Sequence, residues 1–280
     1  LEGLLLEHPA VMDAAVIGKA DAEAGEIEID FEGSSGPSSM GINVVPAYTH
    51  AYATFAVRSS LNPDLPNNAG SLAPIRLKLP EQCIVNAKYP SPVNARHVVG
   101  MYVPFPILKA LAQVVPEAVV AEGSGAVWTV QIQGRDKDGQ PFTSSMFNYS
   151  GGMGARATKP GISAVCYPTG VSAVPVEVLE ASYPIAFTCK ELAHGTGGAG
   201  AQPGGDGQRI GYRMRTGRTW LLNTIPSRLK AGPEGLLGGE DGQPGTFRIN
   251  GEAVEDTRKR EMQPDDEVFM ITPGFWYFGA

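Results

Sequence analysis

The sequence predicts an α+β fold, strand-rich, with a few helices and many Gly/Pro loops. Three observations point there. Glycine (35) and proline (23) are both abundant among 280 residues, with no collagen-like period, which favours tight turns between short elements. Apolar and polar residues alternate with period two in short runs such as 26–31 and 75–79, the mark of half-buried strands. Only two long segments, opening at Pro46 and at Pro104, carry the 3.6-residue apolar spacing of a helix.

Taken in order, residues 1–9 read as a short helix with Leu1, Leu4, Leu5 and Leu6 on one stripe, ended by His8-Pro9. Residues 10–17 read as a strand closed by Gly18, and 21–25 as a polar turn. In 26–31, Ile27, Ile29 and Phe31 face one way and Glu28 and Asp30 the other. After a Gly/Ser/Pro loop at 33–41, Pro46 opens a helix to about Ser60, with Tyr48, Tyr52, Phe55 and Val57 on its buried side. An Asn/Pro loop (62–70) precedes a strand at 75–79. The second helix, 104–115, turns Leu108, Leu111 and Val115 inward. Strands at 128–133 and 141–149 flank Asp136-Lys137-Asp138-Gly139, a hairpin signal. Residues 150–154 form a glycine-rich loop, 174–182 alternate or wind weakly, and 184–192 read as a strand. Beyond a glycine-rich run at 195–207 come strands at 210–214 and 218–222, a second glycine-rich region at 232–245, and a closing strand at 268–272.

Composition removes several function classes. Hydrophobic residues make up 42% and charged residues 18%, a globular balance. A net charge of −7 argues against a broad basic face for nucleic acid. No apolar run reaches the ~18 residues that span a bilayer, so no membrane association is expected, nor does the start read as a signal peptide. Cys83, Cys166 and Cys189 are odd in number and lack CxxC spacing, which reads as free thiols in a reducing, cytoplasmic setting. The chain opens on Leu1 rather than Met, which suggests a fragment or processed product.

Ten segments, in order, are EIEIDFEGSS (26–35), GINVVPAYTHAYATFAVRS (41–59), NPDLPNNAGSLAPI (62–75), YPSPVNARHVVG (89–100), GRDKDGQPF (134–142), GGMGAR (151–156), PVEVLEASYP (175–184), TGGAG (196–200), PEGLLGGEDGQPG (233–245) and QPDDEVFMITPG (263–274). By their order and spacing the chain from about Glu26 resembles the C-terminal half of the hydantoinase B/oxoprolinase family. The resemblance implies part of an ATP-dependent cyclic-amide hydrolase acting on 5-oxoproline or N-methylhydantoin. It implies a hydantoinase A-type partner subunit carrying ATP and Mg, and a divalent metal held in the N-terminal half of the family's subunit; no cofactor is expected in this chain. Two alternatives stay open: a subunit of an ATP-dependent ketone carboxylase of acetone or acetophenone type, and a non-catalytic truncated fragment or interaction module. LLLEHPAVMDAAVIGKADAEAGE (4–26) instead resembles the start of the C-terminal lid domain of adenylate-forming ligases, without that domain's catalytic lysine. Two regions are therefore expected, a stub at 1–25 and the body at 26–280. The chain departs from the family pattern at PGFWYFGA (273–280), VCYPTG (165–170) and AQPGGDG (201–207).

Candidate site residues follow from residue chemistry. His97, after Asn94 and Arg96, can serve as a general base. With four histidines and no pair at metal spacing, no metal site is expected. Asn67 and Asn68 can hydrogen-bond a substrate amide; as turn-forming residues they have a simpler role. Gly151, Gly152 and Gly154 with Arg156 can present donors to an anion, while the simpler reading is a strand-end turn needing positive φ. No GxxxxGK[ST] loop is present. Cys166 reads as a nucleophile or, more simply, a buried inert thiol. Glu177 and Glu180 share a face if 174–182 is a helix and face apart if it is a strand.

Overall fold

Alternation in EIEID produces the strand that anchors the first of three sheets. The computed structural model describes residues 17–21, 25–125, 127–255 and 259–274. The first sheet has the order β1-β2-β3, from β1 (Ile17–Asp21), β2 (Glu26–Asp30) and β3 (Ile75–Lys78). β1 runs antiparallel to β2, and β2 parallel to β3. The parallel pair needs a long crossover. It contains α1 (Pro46–Leu61) and the one-turn α2 (Ala69–Leu72).

α1 packs on α4 (Pro104–Leu111), and between them α3 (His97–Gly100) makes a single turn. This layer and the first sheet enclose one core, built from Ile29, Phe31, Val44, Ala53, Val57, Ile75, Val99, Phe105 and Leu108. Two buried polar side chains here are fully bonded, while the buried Ser34 and Ser35 hydroxyls make no hydrogen bond. Asn43 donates from Nδ2 to the carbonyls of Ser38, Met40 and Pro92 and accepts from the Ser38 N–H. Thr49 Oγ1 donates to the Val85 carbonyl at 2.6 Å.

The second core is a sandwich. A four-stranded sheet, order β11-β8-β4-β5, is formed by β4 (Val127–Arg135), β5 (Pro141–Ser150), β8 (Trp220–Ile225) and β11 (Arg260–Met262). A five-stranded sheet, order β10-β9-β12-β7-β6, is formed by β6 (Ile185–Ala193), β7 (Gly207–Met214), β9 (Thr246–Ile249), β10 (Glu252–Ala253) and β12 (Glu267–Ile271). All their pairings are antiparallel. Trp128, Val130, Ile132, Tyr149, Trp220 and Leu222 of the first meet Ile185, Ile210, Tyr212, Val268 and Met270 of the second. Each buried indole removes roughly 200 Å² from water, so the two tryptophans are major contributors. The α+β, strand-rich expectation agrees with this architecture.

Several element readings change. β1 begins at Ile17 and runs through Gly18, so that glycine does not end a strand, and Asp21 belongs to β1 rather than to the turn. The readings for residues 1–16 lie outside the described residues. On α1 the buried face is Thr49, Ala53, Ala56, Val57 and Ser60, while Tyr48, Tyr52 and Phe55 are only half-buried. Small residues let the helix approach its neighbours closely, and the larger rings move to the flank. α4 stops at Leu111, four residues short of Val115, which precedes a 3₁₀ turn at Pro116–Ala118. The ambiguous 174–182 segment winds into α5 (Val176–Ser182). The short strands β9, β10 and β11 lacked a readable period.

Candidate functional site

His97 begins α3 and is half-buried. Its Nε2 lies 3.4 Å from Thr129 Oγ1 on β4. Burial, aided by the charge of Arg96, holds the imidazole below its ordinary pKa, so it is neutral near pH 7 and keeps a lone pair. One turn on, Gly100 leaves room for Tyr48, whose ring carbon would sit 2.2 Å from a Cβ there. Tyr48 stacks on Tyr52 with centroids 4.6 Å apart. Burial raises the Tyr52 phenol well above its usual value, so it stays protonated. Cys166 is buried and its Sγ lies 2.6 Å from Thr169 Oγ1, a packed thiol.

Thr129 places His97 at the head of a polar stripe. Alternation along β4 sets Thr129, Gln131 and Gln133 on the side opposite Trp128, Val130 and Ile132. In register on β8 stand Ile225, Asn223 and Leu221. Asn223 Nδ2 donates to Gln131 Oε1 at 2.8 Å. Gln131, Gln133, Leu221 and Asn223, with Lys259, line a shallow depression. Carboxamides both donate and accept, and Lys259 sets a cation beside them. Gln131, Gln133 and Asn223 were not among the residues singled out from sequence; the alternation in WTVQIQ was the available signal.

The other predicted residues go elsewhere. Asn68 caps α2: its Oδ1 accepts from the Ser71 N–H, and Ser71 Oγ accepts from the Asn68 N–H, each at 3.1 Å. Asn67 is exposed beside it. Among the described residues no hydrogen bond joins either asparagine to His97 or to Arg156. Gly151, Gly152 and Gly154 are buried. Two donors of the loop are engaged: the Met153 N–H donates to the Ile162 carbonyl and the Arg156 N–H to the Lys159 carbonyl. Arg156 Nη2 donates to the Pro160 carbonyl. The Met153 and Arg156 N–H groups are therefore not free for an anion, while Arg156 Nε is buried without a partner. Nor do these glycines adopt positive φ. Close approach explains Gly154 instead, since a Cβ there would lie 1.9 Å from the Ala121 carbonyl oxygen. Similar main-chain contacts bring Gly197 against Gly204, Gly274 against Thr196, and Gly232 against Gly242. Glu177 is exposed, while Glu180 accepts the Phe187 N–H at 2.7 Å, so they form no carboxylate pair with a shared task.

Behind the site, Arg228 joins the two cores. Its guanidinium is buried and donates to Glu122, to the Ser124 carbonyl at 3.2 Å and to the Gly232 carbonyl at 3.1 Å. It also lies 4.9 Å over the Tyr102 ring. The second oxygen of Glu122 accepts the Glu234 N–H at 2.7 Å.

No three His, Cys, Asp or Glu side chains converge among the described residues in a way that could hold a metal ion, and no described helix is long and apolar enough to cross a membrane. The family model described as hydantoinase B/oxoprolinase matches residues 7–275. The chain belongs to this family. Among the relatives of this chain, an uncharacterised protein of Methanocaldococcus jannaschii is 32% identical over 272 residues, covering 94% of this chain and 46% of that protein. The B component of a putative D-/L-hydantoinase from a Pseudomonas species is 26% identical over 258 residues, covering 89% of this chain and 43% of that component. The fold is shared with a nucleotide-free acetone carboxylase, at a TM-score of 0.78 and 16% identity over 91% of this chain and 40% of the other. The chain spans less than half the length of each. The family match takes in β1 and part of the segment assigned to a separate stub.

Proposed function

We propose that this chain is one part of an ATP-dependent cyclic-amide hydrolase of hydantoinase or 5-oxoprolinase type, working with a hydantoinase A-type subunit. The observation that carries the reading is the hydantoinase B/oxoprolinase match across residues 7–275. Resonance makes a cyclic amide a poor electrophile, and phosphorylating its oxygen removes that protection at the expense of ATP. In this reading ATP and Mg belong to the partner, and a divalent metal to the part of the subunit outside this chain. The residues here supply one wall. Gln131, Gln133 and Asn223 offer donors and acceptors to the ring's N–H and C=O. His97, neutral and at the head of the stripe, takes up a proton from attacking water.

The test mixes this chain with an A-type subunit and the remaining part of a family subunit. ATP-dependent opening of 5-oxoproline or hydantoin is expected, with open-chain product and ADP formed together. His97→Gln is expected to lower kcat by about 10²-fold with little change in KM, and Asn223→Ala to raise KM. Carboxylation of acetone without ring opening would replace this reading with the ketone carboxylase one. No turnover of either kind would leave a non-catalytic interaction module.

A further inference from the structure

The apolar layer of the sandwich ends open at one edge. β6 is the edge strand of the five-stranded sheet. On its inner side Lys190 stands opposite Ile210, and Leu192 opposite Gln208. Ile210 and Gln208 are buried, yet one strand further out Leu192 is 39% exposed. Beside this margin runs a strap, residues 169–175, exposed at every position. Lys190 Nζ donates to the Val174 carbonyl at 3.1 Å, and the strap leads into α5, which packs on β6. Val171, Val174 and Val178 are 45%, 36% and 51% exposed. With Leu192 they are four of the nine large hydrophobic side chains exposed among the described residues, gathered on one strap, one helical turn and one strand. Isolated exposed apolar residues need no explanation, but a group of this kind marks a contact surface.

The edge itself is closed to strand addition. β6 is bulged between Phe187 and Cys189, Glu180 occupies the Phe187 N–H, and the Lys190 side chain crosses to the strap. These devices keep a second strand away, which argues against pairing between two copies of β6. Whatever covers the valines meets side chains. The lengths of the relatives supply an occupant. This chain covers 46% of the Methanocaldococcus jannaschii protein, 43% of the Pseudomonas hydantoinase component and 40% of the acetone carboxylase chain. More than half of each polypeptide therefore lies outside the matched part. We infer that the surface of Val171, Val174, Val178 and Leu192 seats that remaining part of a hydantoinase B-type polypeptide. The inference rests on reading this chain as part of such a subunit.

The experiment co-produces the tagged chain with the part of the Methanocaldococcus jannaschii relative outside the matched region and measures the amount captured. Capture in equal amounts is expected. Val174→Asp combined with Val178→Asp is expected to reduce it about tenfold or more, the scale of a central interface residue. Val114→Asp, at an exposed valine beyond α4, is expected to leave it unchanged. Should the added part be insoluble alone, a single-chain fusion of the two reads the same contact by oxidative footprinting. Labelling of Val174, Val178 and Leu192 then drops to a small fraction of its level in this chain alone. Unchanged labelling, or capture indifferent to Val174→Asp, overturns the inference. So does a dimer of this chain alone, seen by sedimentation, that Val174→Asp dissociates, because a second copy is then the occupant. Capture without turnover would count against the proposed activity and leave this contact standing.

Discussion

An imidazole half-buried against Thr129 has a measurable signature. Because burial holds the folded His97 below the ordinary value of 6.5, the unfolded chain binds the proton more tightly. Its contribution to stability is therefore complete above that ordinary value and is lost as pH falls through it toward the folded-state value. Urea midpoints measured down from neutral pH are expected to decline as pH drops below 6.5, and His97→Gln to flatten that decline. An unchanged slope would mean that His97 titrates as a solvated group. The sequence made His97 a candidate through residue chemistry alone. Its partner was invisible because Thr129 lies 32 residues on and is brought close only by the tertiary fold. Asn68 was legible as a turn residue because its partner, Ser71, is local. Gly154 was misjudged for the opposite reason: the carbonyl that excludes a side chain belongs to Ala121, far off in sequence.

At the scale of elements, the β4–β5 hairpin follows directly from its turn. Asp136 Oδ1 accepts the N–H groups of Asp138 and Gln140, and Gly139 takes φ +82°. A Cβ on Gly139 would meet nothing within 4 Å, so Gly139→Ala carries only backbone strain, about 1 kcal/mol. Gly154→Ala collides with a main-chain carbonyl and is expected to be worse, about 2–3 kcal/mol. Equal losses in chemical denaturation would contradict this division between strain and collision. Period-two strands were readable because each presents a single apolar face to a core. α1 misled because its buried face is made largely by Thr49, Ala53, Ala56 and Ser60, residues whose small size, not hydrophobicity, lets neighbouring elements pack tightly. β9, β10 and β11 span four, two and three residues, too few for a period to show.

The molecule holds two large cores, and Arg228 ties them. Its partners Glu122, Ser124 and Tyr102 lie with the helical layer, while Arg228 itself follows β8 of the sandwich. Arg228→Met strands a partly buried carboxylate and is expected to lower stability by about 3 kcal/mol, read from urea unfolding. Arg228→Met with Glu122→Gln is expected to lose less than the sum of the single changes. Additive losses would show that the pair is not coupled. The fold class was legible in composition and alternation. The meeting of the cores was not, since residues 122 and 228 are joined by a bond that no local pattern announces.

Where loops touch backbone to backbone, as Gly232 does with Gly242 and Gly274 with Thr196, there is no side chain to retune. Substitution there is expected to be tolerated only in stretches that leave the junction, such as the exposed Ala199-Gly200-Ala201 tip of the 195–206 loop. Lengthening or trimming that tip is the route by which this end of the molecule can acquire a new shape without disturbing the joint beneath it.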